Sequence, residues 1–296
     1  IEIVSVDSAQ VYRQLDIGSA KPSTDMLRAV PHWLIDVVDP SEIYSVAKFV
    51  DDARAAIVDI VGRGKIPLLV GGSMMYFRVL LSGLTELPEA NADIRSRLKA
   101  RIDEHGIESL YKQLKDVDAA TAEDLHPHQS QRIQRALEVF EITGKPLSAL
   151  HRLSSISGLT ADYRVYQFGL LVTDRALLHR RIEQRFRAMM TAGFYAEVEA
   201  LYLRGDLHGD LPAMRSVGYR QLWDCVDNCG SQSEAVERGI VATRQLAKRQ
   251  MTWMRRWIDL NLLAIDADNY RLGAKKITEK CLKNILMTPI SHYVDR

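Results

Sequence analysis

Two short apolar runs constrain what this chain can fold into. Residues 1–6 and 66–70 each stop abruptly at small polar residues, Asp7-Ser8 after the first and Gly71-Gly72-Ser73 after the second. Runs of this length, near-continuously apolar, suit strands of a parallel sheet covered by helices on its faces. The second leads directly into a helical pattern carrying Tyr76, Phe77, Leu80 and Leu81, a strand–turn–helix unit. Ser45 opens another helical pattern, with Val46, Phe49, Val50, Ala53, Ile57 and Ile60, which ends near Gly62 and Gly64. Residues 33–38 read as a further short strand stopped by Asp39-Pro40, and residues 166–172 as one that rejoins the first sheet. The carboxyl ends of parallel strands, here Asp7 and Ser73, are where such sheets bind ligands.

Residues 91–159 have a different character. Ile94, Leu98 and Ile102 share one helical face, Ile107, Leu110 and Leu114 a second, and Ile133, Leu137 and Phe140 a third, closed by Gly144-Lys145-Pro146. With no convincing strand there, this is expected to be an all-helical insert in an α/β core formed by residues 1–90 and 160–296. Long helices are expected over 175–205 and 232–258, a short apolar run over 262–267 and a last helix from about 272 to 287. The 296 residues, 47% of them hydrophobic, suffice for one large core or two modest domains. With 39 basic and 38 acidic residues, only the distribution of charge can argue for a polyanionic partner. Cys225, Cys229 and Cys281 are too few for a disulfide framework and fit a reducing, cytoplasmic location. Cys225 and Cys229 could share a helix face, but no His or Cys pair accompanies them, so no zinc site is expected. No run approaches the length of a membrane span, and nothing in the pattern demands a partner subunit, so a monomer is expected.

Several groups could carry chemistry. A carboxylate at a strand end, Asp7, can act as a general base or hold a metal ion through water, and equally can cap the turn that follows. Gly71-Gly72-Ser73 can cradle a phosphate at a helix start, or be an ordinary tight turn capped by Ser73. Arg181 and Arg185, one helical turn apart, can clamp a pyrophosphate or face solvent. Residues 244–256 hold five basic side chains and no acidic one, with Trp253 among them and Trp257 next in the chain, a mixture suited to a nucleic-acid backbone with unstacked bases. The same tryptophans could pack inward instead. Gln131-Arg132-Ile133-Gln134-Arg135 forms a second polar basic cluster in the insert, and two such patches grip an extended polyanion better than a small ligand. Arg215 to Arg220, with Gly218 and Tyr219 inside, could stack or pack against a nucleotide.

Taken in order, these blocks resemble the tRNA dimethylallyltransferases, also called tRNA isopentenyltransferases. The matching stretches are Asp7-Ser8-Ala9-Gln10-Val11-Tyr12, Asp16-Ile17-Gly18-Ser19-Ala20-Lys21-Pro22, Pro31-His32-Trp33-Leu34-Ile35-Asp36 and Asp39-Pro40. They continue with Val70-Gly71-Gly72-Ser73-Met74-Met75-Tyr76, the cluster at residues 131–135, Val217-Gly218-Tyr219-Arg220-Gln221, and Thr243-Arg244-Gln245-Leu246-Ala247-Lys248-Arg249-Gln250 with Trp253 beyond. The resemblance implies a P-loop NTPase-like parallel sheet flanked by helices, with the helical insert gripping the tRNA anticodon stem-loop. It implies transfer of a dimethylallyl group from dimethylallyl diphosphate to N6 of adenosine-37, with Mg²⁺ as cofactor. By the same resemblance Asp7 accepts the amine proton and the Ser73 hydroxyl bonds to the leaving oxygen. Threonine is more usual at that position; serine keeps the hydroxyl but loses the methyl that restricts its rotamers, so function is expected to persist with looser positioning. Arg181 and Arg185, with Mg²⁺, are expected to meet the diphosphate charge. The flipped-out base would pass along the turn of Asp7, Ser8, Ala9 and Gln10 and the helix bearing Lys248, Arg249, Gln250, Trp253 and Arg255. Arg95, Arg132, Arg135, Arg215 and Arg220 match or flank further RNA-contacting blocks.

One departure stands out. The family's phosphate loop, Gly-x-Thr-x-x-Gly-Lys-Ser/Thr, precedes the strand that opens this chain and is absent from it. A polypeptide lacking that loop, its strand and its helix is expected to carry an exposed sheet edge and to transfer poorly, while the natural protein is expected to be active. The tail lacks the zinc-finger extension of eukaryotic relatives, which implies a bacterial-type enzyme. Two other functions compete: a P-loop kinase acting on a nucleoside or small metabolite, and a non-catalytic RNA-binding protein.

Overall fold

The computed structural model describes residues 1–85, 87–153 and 156–265, with Lys275, Thr278, Glu279 and Cys281 beyond them. The helix expected from about 272 to 287 thus lies outside the described residues apart from those isolated positions. The chain divides into two compact units, residues 1–77 with 164–296, and residues 78–163. The division falls within a helix, earlier than the expected boundary at residue 91.

The first unit opens with β1 (Glu2–Val6), α1 (Thr24–Ala29), β2 (His32–Trp33), α2 (Val46–Gly62), β3 (Pro67–Gly71) and α3 (Met74–Ser82), the last crossing into the second unit. The second unit holds β4 (Gly83–Leu84), α4 (Ala92–His105), α5 (Ile107–Val117), α6 (Ala119–Asp124), α7 (Ser130–Thr143), α8 (Leu147–Leu153), β5 (Ile156–Ser157) and α9 (Leu159–Asp162). The chain returns to the first unit with β6 (Phe168–Leu171), α10 (Arg175–Thr191), α11 (Phe194–Leu203), α12 (Tyr219–Asp227), α13 (Gln232–Arg255) and β7 (Asn261–Ala264).

A parallel sheet in the order β2-β1-β3 carries the first unit, with Glu2 opposite Pro67 and Val6 opposite Gly71. Ser45 caps α2 by accepting from the Lys48 N–H at 3.1 Å, and the Phe49, Ala53, Ile57 and Ile60 face is buried with Val4 and Val6 of β1. Phe49 stacks on Tyr76 with ring centroids 4.2 Å apart. At the other end of β1, Glu2 takes a bidentate ion pair from Arg63 and a 2.8 Å hydrogen bond from the Trp33 indole. Arg63 first and Trp33 second hold this carboxyl at about 2.

Four expectations need correction. The strand expected over residues 33–38 breaks after Trp33, because Leu34 and Asp36 adopt left-handed backbone (φ 63° and 56°), and pairing resumes only as a bridge between Tyr12 and Val38. The strand β6 does not rejoin the first sheet; it pairs in parallel with β7 in a separate two-stranded sheet. The helix expected over 175–205 is two helices, since Gly193 at φ 103° ends α10 and starts α11. The second unit is not wholly helical either: β4 and β5 form an antiparallel pair beside its helices.

The break at Gly193 builds the aromatic core that holds residues 16–18. Phe194 packs edge-on against Phe186 and Tyr219, and a Cβ at Gly18 would lie 2.1 Å from the Phe194 ring. Glu197 accepts from the backbone N–H groups of Asp16, Ile17 and Gly18 and from the Tyr219 hydroxyl, so both its oxygens are satisfied. Lys21, its side chain only 6% exposed, donates to the Tyr12 carbonyl and to the carboxylates of Asp16 and Asp36. Arg204 bridges Asp39, Asp206 and Gln14, and its hydrogen bonds hold the Asp39 carboxyl far below the usual carboxylate range.

In the second unit Ile94, Leu98, Leu110, Leu114, Ile133 and Leu137 make the core. Glu138 lies among them, its side chain 1% exposed, and accepts from Arg95, from Arg135 and from the Asn91 N–H. Burial would raise its carboxyl, but the two arginines and Asn91 outweigh burial and lower it.

Replacing Gly18 by alanine is expected to destabilise the first unit by about 1–3 kcal/mol through overpacking against Phe194, measured as a shift in denaturant midpoint. Replacing Glu138 by leucine leaves two arginines facing an apolar core and should cost about 3 kcal/mol, with Arg95's partial exposure keeping the loss at the low end for a broken buried pair. Because the folded-state values of Glu2 and Glu138 are depressed, their stabilisation is complete above the ordinary glutamate value and disappears as pH falls through the lowered ones. An acid titration of wild type should therefore show stability falling below about pH 4.5, and the Glu138 variant should lose part of that dependence.

Candidate active site

The register that sets Val6 opposite Gly71 delivers Asp7-Ser8 and Gly72-Ser73 to the same sheet edge. The approach is close enough to require glycine: a Cβ at Gly71 would lie 2.0 Å from the Val6 carbonyl oxygen. The Ser73 N–H donates to that carbonyl at 3.2 Å. The Ser8 N–H donates to Ser73 Oγ at 3.0 Å, and Ser73 Oγ donates to Ser8 Oγ at 3.2 Å. Ser73 is thus held by the end of β1 through its backbone and by Ser8 through its side chain, with its proton on an exposed hydroxyl contact.

Asp7 Oδ1 accepts from the Ala9 N–H at 2.8 Å and the Gln10 N–H at 3.3 Å. The carboxylate therefore caps its own turn with one oxygen. Its Oδ2 receives no hydrogen bond from the described residues. Capping and base roles are compatible, since the capped oxygen orients the other. Beneath this edge Tyr76 is buried; burial, then Tyr12 and Asp7, pushes its hydroxyl well above the ordinary range, so it remains protonated. Gln10 bonds Ser5 through Oε1 and the Ser19 and Ala20 carbonyls through Nε2, tying the turn to the loop that Glu197 holds.

The basic residues fall into separate environments. Arg181 donates to the Ile265 carbonyl at 3.0 Å, which holds α10 to the end of β7, and Arg185, one turn on, is exposed. Arg244 pairs with Glu183 at 3.0 Å, whereas Lys248, Arg249 and Arg255 of α13 point to solvent. Trp253 lies tilted against Trp257 at 6.5 Å, and the Trp257 indole donates to Gln167. Gln250, on the same helix, turns inward and donates from Nε2 to the Gly72 carbonyl at 3.0 Å. Arg215 and Arg220 are exposed at the start of α12.

In the second unit Gln131 and Arg132 are exposed on α7, and Gln134 is half-buried. Arg95 and Arg135 keep partial exposure while bound to Glu138, and Arg135 also donates to the Pro88 carbonyl at 2.7 Å. Two expected RNA contacts are corrected: the Ile133 and Tyr219 side chains are fully buried and cannot reach a ligand in this fold. Tyr219 instead gives its hydroxyl to Glu197, and Gly218 beside it, at φ 94°, lets the chain enter α12 against Phe194. Glu197 and Arg204 carry no motif of their own, and Lys21 stands in the block at residues 16–22 without a role assigned from sequence, although all three shape the site's loops. An acid within the apolar string Phe194-Tyr195-Ala196-Glu197-Val198 was the available signal.

Among the described residues no group of three or more His, Cys, Asp or Glu side chains is placed to hold a metal ion. Mg²⁺ commonly binds through one or two carboxylates plus substrate phosphates, and the lone Asp7 carboxylate at this edge fits only that mode. No helix among the described residues is long and apolar enough to cross a membrane.

The profile of a family described as IPP transferase matches residues 10–257. Among solved structures, the full-length tRNA isopentenylpyrophosphate transferase of Bacillus halodurans is 32% identical, covers 97% of this chain and 90% of its own, and superposes with a TM-score of 0.64. The tRNA delta(2)-isopentenylpyrophosphate transferase of Staphylococcus epidermidis is 30% identical over 96% of this chain and 91% of its own, with a TM-score of 0.64. A eukaryotic dimethylallyltransferase acting on tRNA is 25% identical over 99% of this chain and 75% of its own, with a TM-score of 0.76. These likenesses favour prenyl transfer over a kinase or a non-catalytic RNA-binding protein. With a sequence match spanning residues 10–257, and a mixed α/β fold shared with solved tRNA prenyltransferases, this chain belongs to the IPP transferase family.

Proposed function

We propose that this enzyme transfers the dimethylallyl group of dimethylallyl diphosphate to N6 of adenosine-37 in the anticodon stem-loop of tRNA. The observation that carries the proposal is the juxtaposition, on one sheet edge, of a carboxylate with an uncommitted oxygen and a serine hydroxyl. The parallel strands ending there are taken as part of a P-loop NTPase-like sheet. The adenine amine attacks the allylic carbon as its bond to the diphosphate oxygen breaks. Asp7 Oδ2 accepts the proton that the nitrogen must lose, which helps because an exocyclic amine is a poor nucleophile. Ser73 keeps accepting from the Ser8 N–H while its own proton turns from Ser8 Oγ to the leaving oxygen.

The exposed Arg185, and Arg181 one turn away with one nitrogen on the Ile265 carbonyl, would meet the diphosphate charge in this reading. Mg²⁺, bound chiefly through the diphosphate oxygens, would neutralise further charge there. The exposed Lys248, Arg249 and Arg255 suit the phosphates of the stem-loop, with Trp253 as a stacking surface, and Gln131 and Arg132 offer a further polar basic patch. The same proposal has the enzyme act as a cytoplasmic monomer.

Labelled dimethylallyl diphosphate should enter a stem-loop bearing adenosine-37 and fail to enter one with guanosine there; equal labelling of both refutes the acceptor. Asp7→Asn should slow the single-turnover step by about 10²- to 10⁴-fold with stem-loop Kd changed less than about threefold. An unchanged rate would remove Asp7 as the base. Ser73→Ala should slow the same step by about 10²-fold, read at saturating donor, because the leaving oxygen loses its hydrogen bond.

A further inference from the structure

The peptide unit joining Gly72 to Ser73 is gripped at both ends. Its carbonyl oxygen accepts from Gln250 Nε2 at 3.0 Å, and its N–H donates to the Val6 carbonyl at 3.2 Å. A peptide unit is planar, so fixing its oxygen and its nitrogen fixes the orientation of the Ser73 Cα that follows. The fit is tight, since a Cβ at Gly72 would lie 2.5 Å from Gln250 Nε2. Ser73 has no γ-methyl to limit its rotation about χ1, so backbone orientation counts for more here than at a threonine. Gln250 follows directly on Lys248 and Arg249, which face solvent from α13.

We infer that Gln250 is a positioning residue for prenyl transfer: its side-chain amide ties the RNA-facing helix α13 to the Gly72–Ser73 peptide and thereby sets the Ser73 hydroxyl against the leaving group. The inference rests on the function proposed above and assigns Gln250 a task different from direct contact with RNA. Acting through Ser73, it should influence the chemical step more than the affinity of the stem-loop. It also gives the donor turn and the helix that meets RNA a shared hydrogen bond, so that displacement of α13 is felt at the hydroxyl.

The test is Gln250→Met, which keeps the length and loses the donor, examined alone and with Ser73→Thr. Gln250→Met should lower the single-turnover rate about tenfold at saturating substrates, the scale of a sub-ångström misplacement, while stem-loop Kd stays within about twofold. Ser73→Thr, measured as a single variant for its own rate, should bring the Gln250→Met double variant close to that rate, because the added methyl restores the rotamer restriction. A weakened Kd with an unchanged rate would make Gln250 an RNA contact, and absence of recovery by threonine would also overturn the inference. Amide hydrogen exchange at Ser73 separates this from failure of the proposed function. Exchange should quicken in Gln250→Met even if the wild type transferred no prenyl group, and unchanged exchange would show that the amide does not hold the turn.

Discussion

The pairing of β1 with β3 is the constraint on which the site depends. In a parallel pair the two strands end at the same level, and the Val6–Gly71 register therefore makes neighbours of residues more than sixty positions apart in the chain. A slip by one residue would exchange the faces of every side chain in the strand and separate Ser8 from Ser73. The buried side of β1 and the hydrophobic face of α2 fix that register from below. Glu2, held by Arg63 and Trp33, pins it at the opposite end. The sheet edge is thus positioned by contacts that never meet a substrate.

Around this edge the chain spends a good deal of polar bonding on the irregular stretches before α1 and after β2. Residues 14, 20, 34 and 36 adopt left-handed backbone without being glycine, a conformation that persists only where surroundings hold it. The surroundings are Lys21 between two carboxylates and Glu197 beneath three successive N–H groups. Such an arrangement supplies a rigid wall to a site that must orient an amine, a carbon and a leaving oxygen at once.

Local pattern conveyed much of this. The Ser45 start, the periodic face of α2, the strand before Gly71 and the three faces of the insert all follow from nearest-neighbour rules, and the ordered blocks pointed to the family. What escaped shares a cause: it depends on partners distant in sequence. Nothing near Asp36 announces positive φ; Lys21 and the Gln10 carbonyl hold it from elsewhere in the chain. Tyr219, flanked by Gly218 and Arg220, looks like a surface aromatic until Phe194 and Glu197 close over it. Asp7 resisted a choice between cap and base, and its two oxygens explain why: one is committed to the turn and the other is not.

Gly71 carries a consequence for how this enzyme would look to genetics. Its lack of a side chain lets β3 run against the Val6 carbonyl, and any larger residue must push the two strand ends apart. With Asp7 and Ser73 in their proposed roles, a screen scored by tRNA modification alone would rank it beside them, although it offers a substrate no functional group. Its phenotype would be that of a hinge pin: loss of alignment between the Asp7 carboxylate and the Ser73 hydroxyl, with each still intact and neither able to find the other.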